Sequence, residues 1–86
     1  MEQQDINRIR VDIFGQEYSL RGQASVQHMR KVAALVNEKM NDIAAVNERF
    51  DLAKVAVLSA VNIADEYIRL VEEYNDLIRA LERNPI

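Results

Sequence analysis

The sequence contains no cysteine, one histidine, one proline and two glycines in 86 residues. Without cysteine there is no disulfide framework, zinc finger, iron–sulfur site or thiol nucleophile, and the absence suits a reducing compartment. A single imidazole, His28, argues against a metal cage built from protein ligands alone. The breakers Gly15, Gly22 and Pro85 leave residues 23–84 uninterrupted, which excludes an all-β fold or a chain of many short elements. Long hydrophobic runs are missing too. The most apolar stretch, Leu52 to Ala64, is broken by Lys54, Ser59 and Asn62 and is too short to cross a bilayer. Met1 to Asn7 is polar and carries Glu2 and Asp5, unlike the basic start and apolar run of a signal peptide. The expectation is a soluble cytoplasmic protein without membrane attachment.

No charge of one sign dominates. Eleven basic residues stand against fourteen acidic ones, a net charge of −3, and the basic residues do not cluster. Nucleic acid is therefore not an expected partner. Residues 1–50 are balanced at seven acids and seven bases, so the excess sits in residues 65–86.

What is present is periodicity. Ile9, Val11 and Ile13 alternate with Arg8, Arg10 and Asp12, and Tyr18 and Leu20 alternate with Ser19 and Arg21. Two alternating runs joined through Phe14-Gly15-Gln16-Glu17 predict a β-hairpin, with Gly15 free to take a positive φ. A two-stranded hairpin is marginal in water and needs a surface to pack on. Ser25 is then a helix N-cap, with His28 where a capping box would carry Glu or Gln. Val26, Met29, Ala33, Val36, Met40 and Ile43 follow at alternating spacings of three and four, widened by Val32 and Leu35: one apolar stripe on a medium helix. The pattern fades after Ala44, which predicts a short connection near Val46 to Phe50.

Asp51 caps the second helix, which runs to about Arg83 because Asn84 precedes Pro85. Some 32 residues at ~1.5 Å each make a rod of about 48 Å, whereas a compact domain of this size is only about 30 Å across. The helix must overhang. Along it Ala60, Ile63, Tyr67, Leu70, Tyr74, Leu77 and Leu81 form an a/d seam over three heptads. Ala64, Val71 and Ile78 add the e position, a face wide enough for more than two helices. Asp65, Arg69, Glu72, Asp76 and Arg79 hold the far side. Ten of the thirteen residues from Leu52 to Ala64 are apolar, so the first half of this helix is expected at the centre of a head, under the hairpin, the first helix and a partner chain. The fold class is α+β, mostly α: an N-terminal β-hairpin, one medium helix and one long C-terminal helix forming an intermolecular coiled coil. Residues 1–50 comprise a disordered start, the hairpin and the first helix. Residues 51–86 comprise the long helix, first half in the head and second half in the coiled coil, the whole making one domain.

Catalytic chemistry has little to stand on. His28 lacks a nucleophile, a phosphate loop or an acidic cluster beside it, and surface or capping roles describe it better. The pairs Asp65-Glu66 and Glu72-Glu73 diverge by about 100° on a helix and do not converge on one site. Neither a catalytic residue nor a metal or cofactor ligand is expected. Asn62 interrupts the apolar run and is read as a buried polar residue that fixes register, ahead of the alternative that it lines a binding groove. Tyr18, Tyr67 and Tyr74 read as core or seam residues. Arg30, Lys31, Lys39 and Arg49 are the candidates for a charged contact surface, against the plainer reading of ordinary solvated charges.

Three stretches resemble one family: Val11-Asp12-Ile13-Phe14-Gly15, Val36-Asn37-Glu38-Lys39-Met40, and above all Leu58-Ser59-Ala60-Val61-Asn62-Ile63-Ala64-Asp65-Glu66. They are similar to the ZapA family of bacterial cell-division proteins, in its short form, and the resemblance extends from Ile9 to Leu81. The family's usual Ala-Leu-Asn is Ala60-Val61-Asn62 here. The resemblance implies a hairpin-plus-helix head, a C-terminal coiled coil, homodimers and in some members homotetramers. It further implies binding to FtsZ, the tubulin-like protein of the division ring, at mid-cell, with promotion of FtsZ assembly, bundling of protofilaments and damping of its GTPase activity. Two other readings compete with a non-enzymatic FtsZ cross-linker. One is a generic coiled-coil adaptor for another partner. The other is a small helical dimeric enzyme of chorismate-mutase type, which the aliphatic interior stripes and the hairpin disfavour.

Overall fold

The computed structural model describes residues 5–83. Its elements are β1 (Asn7–Ile13), β2 (Gln16–Gly22), α1 (Val26–Val46) and α2 (Leu52–Arg83) in chain order. The α+β, mostly helical architecture expected from the sequence is the one found. The helix stop at Asn84-Pro85 and the start of the chain, Met1 to Gln4, lie outside the described residues.

β1 and β2 pair antiparallel, with Ile13 opposite Gln16, Val11 opposite Tyr18 and Ile9 opposite Leu20. The connection is tighter than the four residues expected. Only Phe14 and Gly15 stand outside the strands, at φ 50° and 77°. Two positive φ values in a two-residue loop match the right-handed twist of the strands it joins. Gly15 adopts that region without a side-chain clash, whereas for Phe14 the same backbone is strained by roughly 1–2 kcal/mol.

The hairpin lies along α1. One end of β1 is held where the Asn7 side chain donates to the Ala24 carbonyl at 2.8 Å. The other is held where the Phe14 N–H donates to Asn37 Oδ1, also at 2.8 Å. α1 starts as predicted, with the His28 N–H donating to Ser25 Oγ. α2 starts with the Lys54 N–H donating to Asp51 Oδ1. The connection between the helices, residues 47–51, is closed by the Phe50 N–H donating to the Asn47 carbonyl.

α1 is the middle layer, packed on β1 on one side and on α2 on the other. The core is small: Ile9, Met29, Ala33, Met40 and Val55 are the buried apolar side chains among the described residues. The overhang of the long helix is real. The radius of gyration is 17.6 Å, against about 12 Å for a compact chain of this length. Within one chain the cover over the first half of α2 comes from α1 and reaches one side of it. Val55 is fully buried, while Val57 and Val61 remain 61% and 62% exposed.

Candidate interaction surfaces

α2 carries the apolar seam along its length. Its members beyond the head stay in the open: Tyr67, Leu70 and Leu81 are 67%, 65% and 64% exposed, with Tyr74 and Leu77 much the same. Ala60 and Ala64 are exposed, Val71 and Ile78 are at the edge of exposure, and Ile63 is half-buried. Ile63 is thus the point where the seam leaves the cover of α1. The charged far side is laced by ion pairs, Arg69 to Asp65 at 2.9 Å and Arg79 to Asp76 at 3.6 Å. Pairs this exposed hold little energy, and they mark the side of the helix suited to water.

A second apolar stripe runs beside the first. Val57, Val61, Ala64, Ile68 and Val71 repeat at four and three, and Ile78 continues the line past Asn75. Ile68, which the a/d/e assignment leaves out, is 56% exposed and belongs here. Its spacing from Val61 and Val71 is the signal that identifies it. Advancing at 100° per residue, the stripe stands roughly a quarter-turn from the seam. The two stripes meet at Ala64, Val71 and Ile78, so the long helix offers one broad apolar face whose second edge runs through Val57, Val61 and Ile68.

Asn62 is exposed in the chain. It lines a groove with Ile43, Val46, Phe50, Leu58, Val61 and Asp65, so a buried register-fixing role is not what the single chain provides. α1 covers the side of α2 that carries Val55 and Ser59, and Asn62 falls beside that side. The buried polar side chain of this stretch is Ser59, whose Oγ has no hydrogen-bond partner among the described residues.

The four basic residues singled out from the sequence do not form one patch. Arg30 and Lys31 are exposed near the start of α1, and Arg49 is exposed in the connection after it. The helical rise from Arg30 to Val46 alone is about 24 Å. Lys39 is engaged within the chain: its ammonium sits 2.7 Å from Glu66 Oε2 and donates to Oε1 at 2.8 Å, tying α1 to α2. Its side chain is 19% exposed. The hydrogen bond to Glu66 raises its pKa above the ordinary lysine value, partly opposed by desolvation and helped by the Glu66, Asp42 and Glu38 charges. Among the described residues there is no group of acidic, histidine or cysteine side chains placed to hold a metal. No helix among them is long and apolar enough to cross a membrane.

This geometry, a hairpin on a short helix with a long helix projecting beyond both, is shared with known proteins. The family model described as Cell division protein ZapA matches residues 9–84. The chain belongs to the ZapA family. A ZapA of Geobacillus sp. (strain WCH70) is 43% identical over 96% of this chain and 95% of its own length. That of Geobacillus kaustophilus (strain HTA426) is 46% identical over 96% of this chain and 91% of its own. A solved structure, described as a ZapA mutant dimer from Geobacillus stearothermophilus, superposes with a TM-score of 0.74. It is 43% identical and covers 95% of both chains. The name is that of a cell-division family and does not describe an enzyme.

Proposed function

We propose that this chain is a non-enzymatic component of the bacterial division ring that self-associates through α2 and binds and cross-links FtsZ polymers. The observation that carries the reading is the open apolar surface of α2. An isolated chain would leave Tyr67, Leu70, Tyr74, Leu77 and Leu81 in water, and burying each stabilises by about 1.5–3 kcal/mol. Five buried apolar side chains are a thin core for a domain of this size, so a second copy supplies the rest of the head and the coiled coil. The ZapA dimer it resembles supports that step. Two apolar stripes support a further one: the first stripe pairs chains into a homodimer, and the second pairs dimers into a homotetramer.

In this reading residues 1–50 and the first half of the helix in residues 51–86 make the head, and the second half of that helix is the coiled coil that joins heads. Asn62 becomes buried only when the partner chain closes the groove beside it. Several identical heads on one assembly bind a polymer lattice with avidity, because each contact after the first is effectively intramolecular. Heads at both ends of an antiparallel tetramer reach two protofilaments and bundle them, which promotes FtsZ assembly and damps its GTPase activity. Arg30, Lys31 and Arg49 are the exposed basic residues on α1 and its connection that would meet the polymer, with Lys39 held back by Glu66. The site of action is cytoplasmic, at mid-cell.

Sedimentation of FtsZ polymerised with GTP, with and without this protein, tests the reading. Co-pelleting and bundles visible by electron microscopy are expected. A protein that stays in the supernatant at both low and moderate salt would leave the generic adaptor as the better reading.

A further inference from the structure

The outer face of the hairpin has no part in either stripe of α2. The register sets Arg8 opposite Arg21, Arg10 opposite Ser19 and Asp12 opposite Glu17, and alternation turns all six away from the face that packs on α1. Arg10 reaches Glu17 diagonally at 3.6 Å. Neither Arg8 nor Arg21 has a carboxylate within ion-pair distance among the described residues. Since the pair closing a two-residue hairpin is hydrogen-bonded, Arg8 and Arg21 occupy a non-hydrogen-bonded position, where facing side chains stand closest. Like charges placed so are destabilising, and they sit in a hairpin that has little stability to spare. Around them is a depression of about 400 Å³ lined by Arg8, Ile9, Arg10, Ser19, Leu20 and Arg21.

We propose that this face is a docking site for an acidic, extended protein segment with carboxylates at alternate residues. Arg8 and Arg10 are two positions apart on β1, about 6.6 Å along the strand, and alternate side chains of an extended peptide repeat at the same distance. Arg10 exchanges its long, exposed contact with Glu17 for the bound carboxylate. A guanidinium receives a carboxylate bidentately, which a lysine could not do. Arg21 flanks Arg8 from the neighbouring strand, and the Ser19 hydroxyl stands opposite Arg10 as a further donor. A bound carboxylate between Arg8 and Arg21 cancels the repulsion that the free hairpin carries. Single-stranded nucleic acid fits less well. The face has no aromatic ring on which a base could stack, because Tyr18 lies on the opposite face and donates to Gln16. The site is separate from α2 and does not depend on FtsZ being the polymer.

The test is fluorescence anisotropy of the full chain with a labelled twelve-residue peptide of alternating Glu and Thr. A peptide of equal composition with its Glu residues in one block serves as control. The alternating peptide is expected to bind more tightly than the block peptide and to weaken as salt rises. Arg8→Glu is expected to weaken it by about tenfold or more while raising Tm, because the like-charge pair becomes an opposite-charge pair. Unchanged affinity in Arg8→Glu, or equal binding of both peptides, would overturn the proposal. So would a fall in Tm together with affinity, which would mark Arg8 as structural. Tighter binding of a thymidine oligonucleotide would assign the face to nucleic acid, and a lower sedimenting mass of Arg8→Glu would assign it to a second copy. Either result also overturns it.

Discussion

The N–H of Phe14, a bulky residue with its backbone in the left-handed region, donates to the side chain of Asn37 at 2.8 Å. The bond joins the tip of the hairpin to α1 across 23 positions of sequence and holds the strained turn in place. Asn37 also accepts through its carbonyl from the Asn41 side chain, so its own helical position is reinforced one turn later.

Asn37→Ala leaves the part-buried Phe14 N–H without its acceptor and is expected to lower stability by about 1–2 kcal/mol. Chemical denaturation at fixed protomer concentration reads this, since any oligomer makes stability depend on concentration. An unchanged midpoint would mean that the turn holds its shape without the latch.

Lys39→Met removes the tie between α1 and α2 and is expected to lower Tm, by less at high salt than at low salt. The pH dependence has a definite sign. The folded-state pKa of Lys39 is raised, so its contribution is fully present below the ordinary lysine value near about 10.4. It is lost as pH rises through the raised value. Thermal melts of wild type and variant should therefore differ at neutral pH and converge at the alkaline end. Parallel curves throughout would show that the pair contributes nothing through its charge.

Ser59→Ala should stabilise. The hydroxyl is buried without a hydrogen-bond partner among the described residues, a cost of about 1 kcal/mol or more, and alanine is the better helix former. A rise in the denaturation midpoint of both chain and oligomer is expected. A fall would show that Ser59 acquires a partner in the assembled protein.

Leu70→Glu or Leu77→Glu places a charge in the first stripe, where it has no partner once buried and a large desolvation cost. Dissociation to monomer is expected in analytical ultracentrifugation. Ile68→Glu charges the second stripe alone, and the expected product is a dimer. Loss of all association in Ile68→Glu would show that the two stripes form one interface, and unchanged mass in all three variants would remove α2 from the assembly altogether.

Local periodicity determined a great deal of this protein before any tertiary contact was known. Alternation at Ile9, Val11 and Ile13, the caps Ser25 and Asp51, and the three-four spacing from Ala60 to Leu81 each state their element within a few residues. Excess length then makes the long helix project. The Leu58 to Glu66 stretch carried the family resemblance for the same reason, being contiguous. The tertiary structure decided matters that depend on how elements meet. Phe14, not a glycine, takes the first strained position of the turn because Asn37, far along the chain, holds it. Within the single chain Ser59, not Asn62, is the buried polar residue among the described residues, since α1 covers one side of α2 and stops short of its neighbour. Lys39 reads as a free surface charge until the packing of α1 on α2 brings Glu66 to it, and the facing of Arg8 with Arg21 exists only through strand register. Spacing along one element is a local property that a chain carries in its sequence. Pairing between elements is fixed by packing, and it becomes visible only when the layers are assembled.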